Sequence, residues 1–96
     1  MTRRVGTLGI VGTGQMGRGI AQIAATGGVR VRLFDARADA AHEARAHVAR
    51  MLARLVEKGR LEAAARDAAL ERITLVDGLD GLAGCDAVVE AIVEDL

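Results

Sequence analysis

The chain is poor in aromatic, proline and cysteine residues, and each shortage narrows what it can be. It has no proline, tryptophan or tyrosine, and its only aromatic residue is Phe34, so a core must come from Val, Ile, Leu, Met and Ala. The single cysteine, Cys85, excludes a disulfide framework within the chain and favours a cytoplasmic location. No apolar run approaches the roughly 20 residues of a membrane span. The first residues also lack the features of a signal peptide.

Neither sign of charge is in excess. The 13 Lys and Arg residues balance the 13 Asp and Glu residues, which argues against a general nucleic-acid binder. A length of 96 residues allows one small domain with one core. We therefore expect a single compact unit whose partners are neither nucleic acids nor membranes.

Apolar patterning predicts strands that alternate with helices. The predicted strands are 5–11, 29–34, 73–76 and 87–91, and the predicted helices begin near Met16, between Ala36 and Asp39, and near Glu62. Alternation of this kind predicts an α/β fold, a Rossmann-type doubly wound parallel sheet with strand order 3-2-1-4. Because a complete sheet of this type adds two more strands, residues 1–96 are interpreted as the N-terminal part of a domain truncated after its fourth strand.

Helical periodicity also predicts which residues face the sheet. On the first helix these are Met16, Ile20, Ile23 and Ala24. On the long second helix, which ends near Lys58 before Gly59, they are Ala41, Ala44, Val48, Met51, Leu52 and Leu55. On the short third helix they are Ala65, Ala68 and Ala69.

A glycine-rich turn follows the first predicted strand. The segment Gly12-Thr13-Gly14-Gln15-Met16-Gly17 matches G-x-G-x-x-G, between a strand and a helix. Gly12 permits the tight turn, Gly14 lets a pyrophosphate approach the backbone, and Gly17 lets the helix pack closely. Gln15 and Met16 are expected to offer backbone N–H groups to the phosphates at the helix N-terminus. The alternative is a glycine-rich turn that binds nothing.

Asp35 ends the second predicted strand, about 20 residues after the turn, where dinucleotide-binding domains carry an acid. A carboxylate there accepts hydrogen bonds from the adenosine ribose and repels the additional phosphate of NADP, so the predicted cofactor is NAD. Two alternatives stay open. Asp35 is also a reasonable helix N-cap, and the neighbouring Arg37 is able to accommodate a 2′-phosphate.

The remaining chemically active residues give weaker signals. His42 and His47 are five apart on a predicted helix and so face different directions, which excludes the usual zinc motif. Cys85 is interpreted as a structural thiol, and no metal site or catalytic triad is recognisable. Glu90 and Glu94 lie near the end of the fourth strand, where ligands bind in this topology. Glu94 is therefore a candidate cofactor contact, with a solvated carboxylate as the alternative.

Three segments, 9–22, 55–61 and 88–96, together resemble the 3-hydroxyacyl-CoA dehydrogenases, which oxidise a 3-hydroxyacyl-CoA to the 3-oxoacyl-CoA with hydride transfer to NAD. The resemblance implies that residues 12–17 hold the pyrophosphate and Asp35 the ribose. It places Ala91 and Glu94 near the nicotinamide half and Lys58 against the CoA. Met51 stands where relatives often carry a CoA-contacting serine, which is a departure from the pattern.

The resemblance also implies that the family's catalytic histidine and glutamate, and its substrate and dimerisation domain, lie beyond residue 96. We therefore expect no catalytic residue and no activity in this fragment, and a homodimer for the whole enzyme of fatty-acid or phenylacetate-type metabolism. The fourth strand is expected to have an unpaired edge, so that the fragment self-associates through it or its C-terminal residues cover it. The alternatives are a β-hydroxyacid dehydrogenase-like enzyme and a non-catalytic NAD-binding module.

Overall fold

The computed structural model describes residues 5–37 and 39–92, which form a parallel sheet with helices packed on it. The strands are β1 (Thr7–Val11), β2 (Arg30–Phe34), β3 (Ile73–Leu75) and β4 (Ala87–Glu90). The helices are α1 (Gln15–Thr26), α2 (Ala40–Glu57) and α3 (Ala63–Glu71), and a 3₁₀ turn covers Leu79–Leu82. The strand order is β3-β2-β1-β4. The predicted α/β class, parallel pairing and strand order are therefore confirmed.

The strand register brings three carboxyl ends to one edge of the sheet. Val11, the last residue of β1, lies opposite Phe34 of β2 and opposite Glu90 of β4. The segments that follow these strands therefore emerge side by side. They contain the glycine-rich turn, Asp35 and Ala91.

The core lies between the sheet and the helices. Its largest fully buried side chains are Ile10, Val31, Leu33, Val48 and Leu52, contributed by β1, β2 and α2. On α2 the predicted stripe is confirmed at Ala41, Ala44, Val48 and Leu52, while Met51 and Leu55 are only partly buried. Gly59 follows α2 with a φ of 70°, which suits a glycine at a helix C-terminus.

The prediction of which α1 residues face the sheet was wrong, because the observed inner face is displaced by one residue along the sequence. Met16 and Ile23 are 56% and 76% exposed, whereas Gly17, Ala21 and Ala25 are buried. Ile20 and Ala24 pack against the margin of the core. Periodicity favours the largest apolar side chains, but a helix that approaches a sheet closely must present its smallest residues.

Fewer residues of α3 are buried against the core than the sequence predicted. Only Ala69 is buried, while Ala65 is exposed and Ala68 is partly buried. A helix of 9 residues has room for little more than two turns. It is therefore anchored largely at its end, where the Arg45 guanidinium of α2 donates to the Leu70 carbonyl oxygen at 2.9 Å.

Within residues 5–37 and 39–92, β4 pairs only with β1. Self-association through its other edge stays a prediction. The same part of the chain contains no helix with the length and apolar character needed to cross a lipid bilayer.

Candidate functional site

The glycine-rich turn is fixed between the ends of β2 and β4. The Gly12 amide donates to the Phe34 carbonyl oxygen at 2.8 Å, and the Ala91 amide donates to the Val11 carbonyl oxygen at 2.8 Å. Gly12 has a φ of 100°, and a Cβ there would lie 2.9 Å from the Ala91 carbonyl oxygen. This position therefore requires glycine both for its backbone conformation and for the space it leaves.

The other two glycines of the motif have different surroundings. A Cβ on Gly17 would overlap the carbonyl oxygen of Gly12, so Gly17 allows α1 to begin directly against the turn. A Cβ on Gly14 would meet nothing within 4 Å. No packing constraint from the described residues explains glycine at position 14, whereas close approach by a ligand to the backbone does.

The N-terminus of α1 suits an anion. Gly14 is the N-cap, no side chain caps the helix, and its first turn contains no acidic residue. The first amide groups of a helix have no partner within it, and the helix dipole makes this end partly positive. The amides of Gln15, Met16 and Gly17 belong to this first turn and are therefore suited to a pyrophosphate.

Asp35 lies beside the turn with both carboxylate oxygens engaged. Its Oδ2 accepts hydrogen bonds from the Thr13 amide at 3.0 Å and the Thr13 hydroxyl at 2.9 Å, and its Oδ1 accepts one from the Arg37 amide at 2.9 Å. Burial raises the pKa of Asp35, but these hydrogen bonds and the Arg37 charge outweigh burial and leave its pKa below the ordinary value of 3.8. The carboxylate is therefore ionised at neutral pH.

A cavity of about 790 Å³ joins these features at the carboxyl edge of the sheet. Of the predicted cofactor residues, Gly12, Thr13, Gly14, Gln15, Asp35 and Ala91 line it. Met16 and Gly17 lie on α1 outside the lining, and Glu94 lies outside the described residues. Glu90 also lines the cavity, in agreement with its predicted position at the end of β4.

Lys58 is separate from this cavity. It follows α2, whose 18 residues span about 27 Å, and it lies at the far end from Arg37 and the cavity. Lys58 is exposed there, so the structure does not bring it together with the nucleotide-binding turn.

Two apolar residues of the cavity were missed in the sequence. Leu79 begins the 3₁₀ turn and Ile92 follows β4, and both are largely exposed despite being large and apolar. Their sequence positions could have identified them, because each follows a strand whose carboxyl end lies on the edge of the sheet that carries the glycine-rich turn. They give the cavity apolar walls that suit the flat rings of a nucleotide.

The histidines and the cysteine lie elsewhere. His42 and His47 are both on α2, and Cys85 precedes β4. In the parts of the chain that the structure describes, no group of three or more His, Cys, Asp or Glu residues is arranged to hold a metal ion.

The parallel sheet, the glycine turn at a helix N-terminus and the acid after β2 define a dinucleotide-binding domain of the Rossmann type. The particular family follows from comparison with known proteins. The profile described as "3-hydroxyacyl-CoA dehydrogenase, NAD binding domain" matches residues 7–96. The chain therefore belongs to this family, and its cofactor is NAD.

Named relatives agree with this assignment. The chain is 44% identical over 87 residues to a 3-hydroxybutyryl-CoA dehydrogenase of Bradyrhizobium diazoefficiens, covering 91% of this chain and 30% of the relative. It is 36% identical to a 3-hydroxyadipyl-CoA dehydrogenase of Escherichia coli, covering 100% of this chain and 20% of the relative. The crystal structure of an (S)-3-hydroxybutyryl-CoA dehydrogenase from Ralstonia eutropha matches with a TM-score of 0.91 at 40% identity, covering 97% of this chain and 33% of that one. The chain thus spans a third or less of the length of these proteins.

Proposed function

We propose that this chain is the nucleotide-binding part of an NAD-dependent enzyme that oxidises a 3-hydroxyacyl-CoA to the 3-oxoacyl-CoA. The observation that carries the proposal is the meeting of Gly14, the α1 N-terminus and Asp35 at one cavity. Relatives named for 3-hydroxybutyryl-CoA and 3-hydroxyadipyl-CoA support a short or dicarboxylic acyl chain. A cytoplasmic homodimer belongs to the same proposal.

Different residues of the cavity hold different parts of the cofactor. The amides at the start of α1 bind the pyrophosphate, and the open face of Gly14 lets it approach. Asp35 accepts hydrogen bonds from the adenosine ribose. Leu79 and Ile92 flank the flat rings of the nucleotide. The resemblance assigns Ala91, which is buried against Gly12, and Glu94 to the nicotinamide half. Held by these residues, NAD would supply the hydride acceptor for oxidation of the substrate hydroxyl.

The hydroxyl proton requires a base, and the resemblance implies that the family's catalytic histidine lies in another part of the enzyme. The lining of the described cavity contains two carboxylates, Asp35 and Glu90, and no histidine. Asp35 is engaged by Thr13 and Arg37, and its lowered pKa makes it a weak base. We therefore infer that the general base is contributed by a part of the enzyme outside residues 5–37 and 39–92.

The proposal is tested by calorimetric titration of NAD and NADP into the wild-type chain and Asp35→Ala. The wild-type chain should bind NAD more tightly, and Asp35→Ala should lose most of this preference. Asp67→Ala is a matched control, because Asp67 is an exposed carboxylate on α3 that pairs with Arg66 at 3.0 Å. Equal affinity for the two cofactors, unchanged in Asp35→Ala, would remove Asp35 from the proposed role.

Activity provides the second test. The enzyme that contains this chain should reduce NAD in the presence of 3-hydroxybutyryl-CoA, whereas the 96-residue chain alone should show no turnover. Turnover by the 96-residue chain would contradict the expectation that this fragment contains no catalytic base. Absence of turnover with any 3-hydroxyacyl-CoA in the larger enzyme would favour the β-hydroxyacid dehydrogenase alternative.

We also propose that Lys58 contacts the CoA part of the substrate. Support comes from the resemblance and from the cationic end of α2, where Arg54, Lys58 and Arg60 are all exposed. In the enzyme that contains this chain, Lys58→Gln should raise KM for the acyl-CoA and leave NAD affinity unchanged. An unchanged KM would remove Lys58 from the substrate site.

A further inference from the structure

We propose that Thr13 is a positioning residue for cofactor choice, which fixes the Asp35 carboxylate so that Oδ1 alone receives the adenosine ribose. This inference rests on the proposed role of Asp35 as the ribose acceptor. It gives the Thr13 side chain a function that the glycine motif does not specify, because the motif leaves this position open.

Burial makes the Thr13 hydroxyl unusual. Thr13 is the one buried polar residue in the described part of the chain, with 4% of its surface exposed. A buried hydroxyl requires a hydrogen-bond partner, and its partner is Asp35 Oδ2 at 2.9 Å. The Thr13 amide donates to the same oxygen at 3.0 Å. These two hydrogen bonds occupy both acceptor positions of Oδ2.

Asp35 Oδ1 is engaged less completely. It accepts the Arg37 amide at 2.9 Å, whereas the Arg37 Nε lies 3.5 Å away. That separation exceeds the usual hydrogen-bond range of roughly 2.7–3.2 Å. The Arg37 side chain is 77% exposed, while that of Asp35 is 11% exposed. Because the Arg37 guanidinium is largely exposed and this separation is long, the ion pair is weak, so a ribose hydroxyl is able to take the second acceptor position of Oδ1.

The fixed carboxylate has a consequence for cofactor choice. With Oδ2 held by both Thr13 donors, the carboxylate cannot rotate away from a ligand phosphate beside Oδ1, and the like charges repel. Removal of the Thr13 hydroxyl leaves one donor on Oδ2, so the carboxylate gains freedom to turn. Arg37 then has the opportunity to pair with the 2′-phosphate of NADP.

The experiment measures binding of NAD, NADP and 2′-deoxy-NAD (lacking the 2′-hydroxyl of the adenosine ribose) by calorimetry. Thr13→Val removes the hydroxyl and keeps the amide donor, and Thr13→Ser restores a hydroxyl. Thr26→Val is the matched control, because the Thr26 hydroxyl donates to Gln22 and Ile23 carbonyl oxygens of its own helix. Far-UV circular dichroism checks that each variant is folded, and Thr13→Ala replaces Thr13→Val should the latter not fold.

We expect the ratio of NAD to NADP affinity to fall about fivefold in Thr13→Val, equivalent to about 1 kcal/mol for one hydrogen bond. The affinity lost on removing the ribose 2′-hydroxyl should be smaller in Thr13→Val than in the wild-type chain. Thr13→Ser should keep most of the wild-type ratio of NAD to NADP affinity and most of the wild-type affinity loss on removing the 2′-hydroxyl. Thr26→Val should match the wild-type chain in both measurements.

Three results would overturn the proposal in distinguishable ways. Equal weakening of all three ligands in Thr13→Val would show a purely structural role for Thr13. An unchanged cofactor ratio in Thr13→Val, together with a lost preference in Asp35→Ala, would reject the role of Thr13 and keep that of Asp35. Should Asp35→Ala also leave the ratio unchanged, both the proposed ribose acceptor and the inference built on it would fail.

Discussion

A Cβ on Gly17 would overlap the carbonyl oxygen of Gly12, so the first turn of α1 is seated directly against the end of β1. This contact brings the start of α1 to the cavity, which Gly14 and Gln15 line. Packing and ligand binding therefore depend on the same short segment, and separate substitutions should distinguish the two.

Gly17→Ala should destabilise the domain, because the added methyl group meets backbone that cannot move aside. We expect a loss of about 2–4 kcal/mol in the free energy of unfolding, measured by urea titration. Gly19→Ala is the matched control on the same helix, since a Cβ there meets nothing within 4 Å. Gly19→Ala should stabilise the chain by up to about 1 kcal/mol. Equal stability of the two variants would contradict the close packing of α1.

Gly14→Ala should separate binding from stability. Its Cβ meets nothing within 4 Å, so stability should fall by no more than about 1 kcal/mol, the cost of alanine at an N-cap. The methyl group would instead occupy the approach of the pyrophosphate, and NAD affinity should fall at least tenfold, or about 1.4 kcal/mol. Unchanged NAD affinity in calorimetry would show that the pyrophosphate does not approach Gly14.

The sequence predicted the sheet well because its signals were local. Short apolar runs identified the strands, with glycines at the end of the first and before the second, and the alternation with helices was sufficient for the strand order. The inner face of α1 was predicted wrongly, because Gly17 and Ala21 carry little hydrophobic signal and yet face the sheet. A pattern that weights side chains by hydrophobicity favours Met16 and Ile23, which the close approach of helix and sheet leaves exposed.

The candidate site was predictable where it depends on backbone geometry. Gly12, Gly14 and Asp35 belong to a motif whose spacing reflects the dimensions of a strand, a turn and a helix. The hydrogen bonds between Thr13 and Asp35 were not predictable, because the two residues are 22 positions apart and meet only through the register of β1 and β2. Leu79 was missed for the same reason.

The stability of the chain should depend on pH through Asp35. Its pKa in the folded state lies below 3.8, because hydrogen bonds from Arg37 and Thr13 outweigh the opposing effect of burial. The stabilisation is therefore fully present above about pH 3.8 and is lost as the pH falls through the lower folded-state pKa. Urea unfolding between neutral and strongly acidic pH should show this loss in the wild-type chain.

Asp35→Asn supplies the comparison for that pH dependence. The uncharged amide cannot reproduce the contacts of the carboxylate, so the variant should be less stable at neutral pH and show a smaller loss in acid. Asp67→Asn, at an exposed carboxylate, should follow the wild-type curve. A wild-type curve no steeper in acid than that of Asp35→Asn would contradict the lowered pKa.

The Nε atom of Arg18 is buried, and no hydrogen-bond partner for it exists among the described residues. Burial lowers the pKa of His47 below 6.5, and the charges of Arg18, Arg50 and Arg54 lower it further. Arg18→Met keeps an apolar stem and removes both the unpaired atom and the charge. We expect stability to be unchanged or to rise by up to about 1 kcal/mol, and the pKa of His47 to rise towards 6.5.

The pKa of His47 is measured by NMR titration of its ring protons, with His42→Gln used to assign the two histidine signals. Arg60→Met serves as the control, since Arg60 is an exposed arginine after α2 and does not contribute to the lowered pKa of His47. Because the lowered pKa means that protonating His47 costs folding free energy, the wild-type chain should lose stability as the pH falls below about 6.5. Arg18→Met should lose less over the same range. An unchanged pKa of His47 in Arg18→Met would mean that the two side chains do not interact across the contact between α1 and α2.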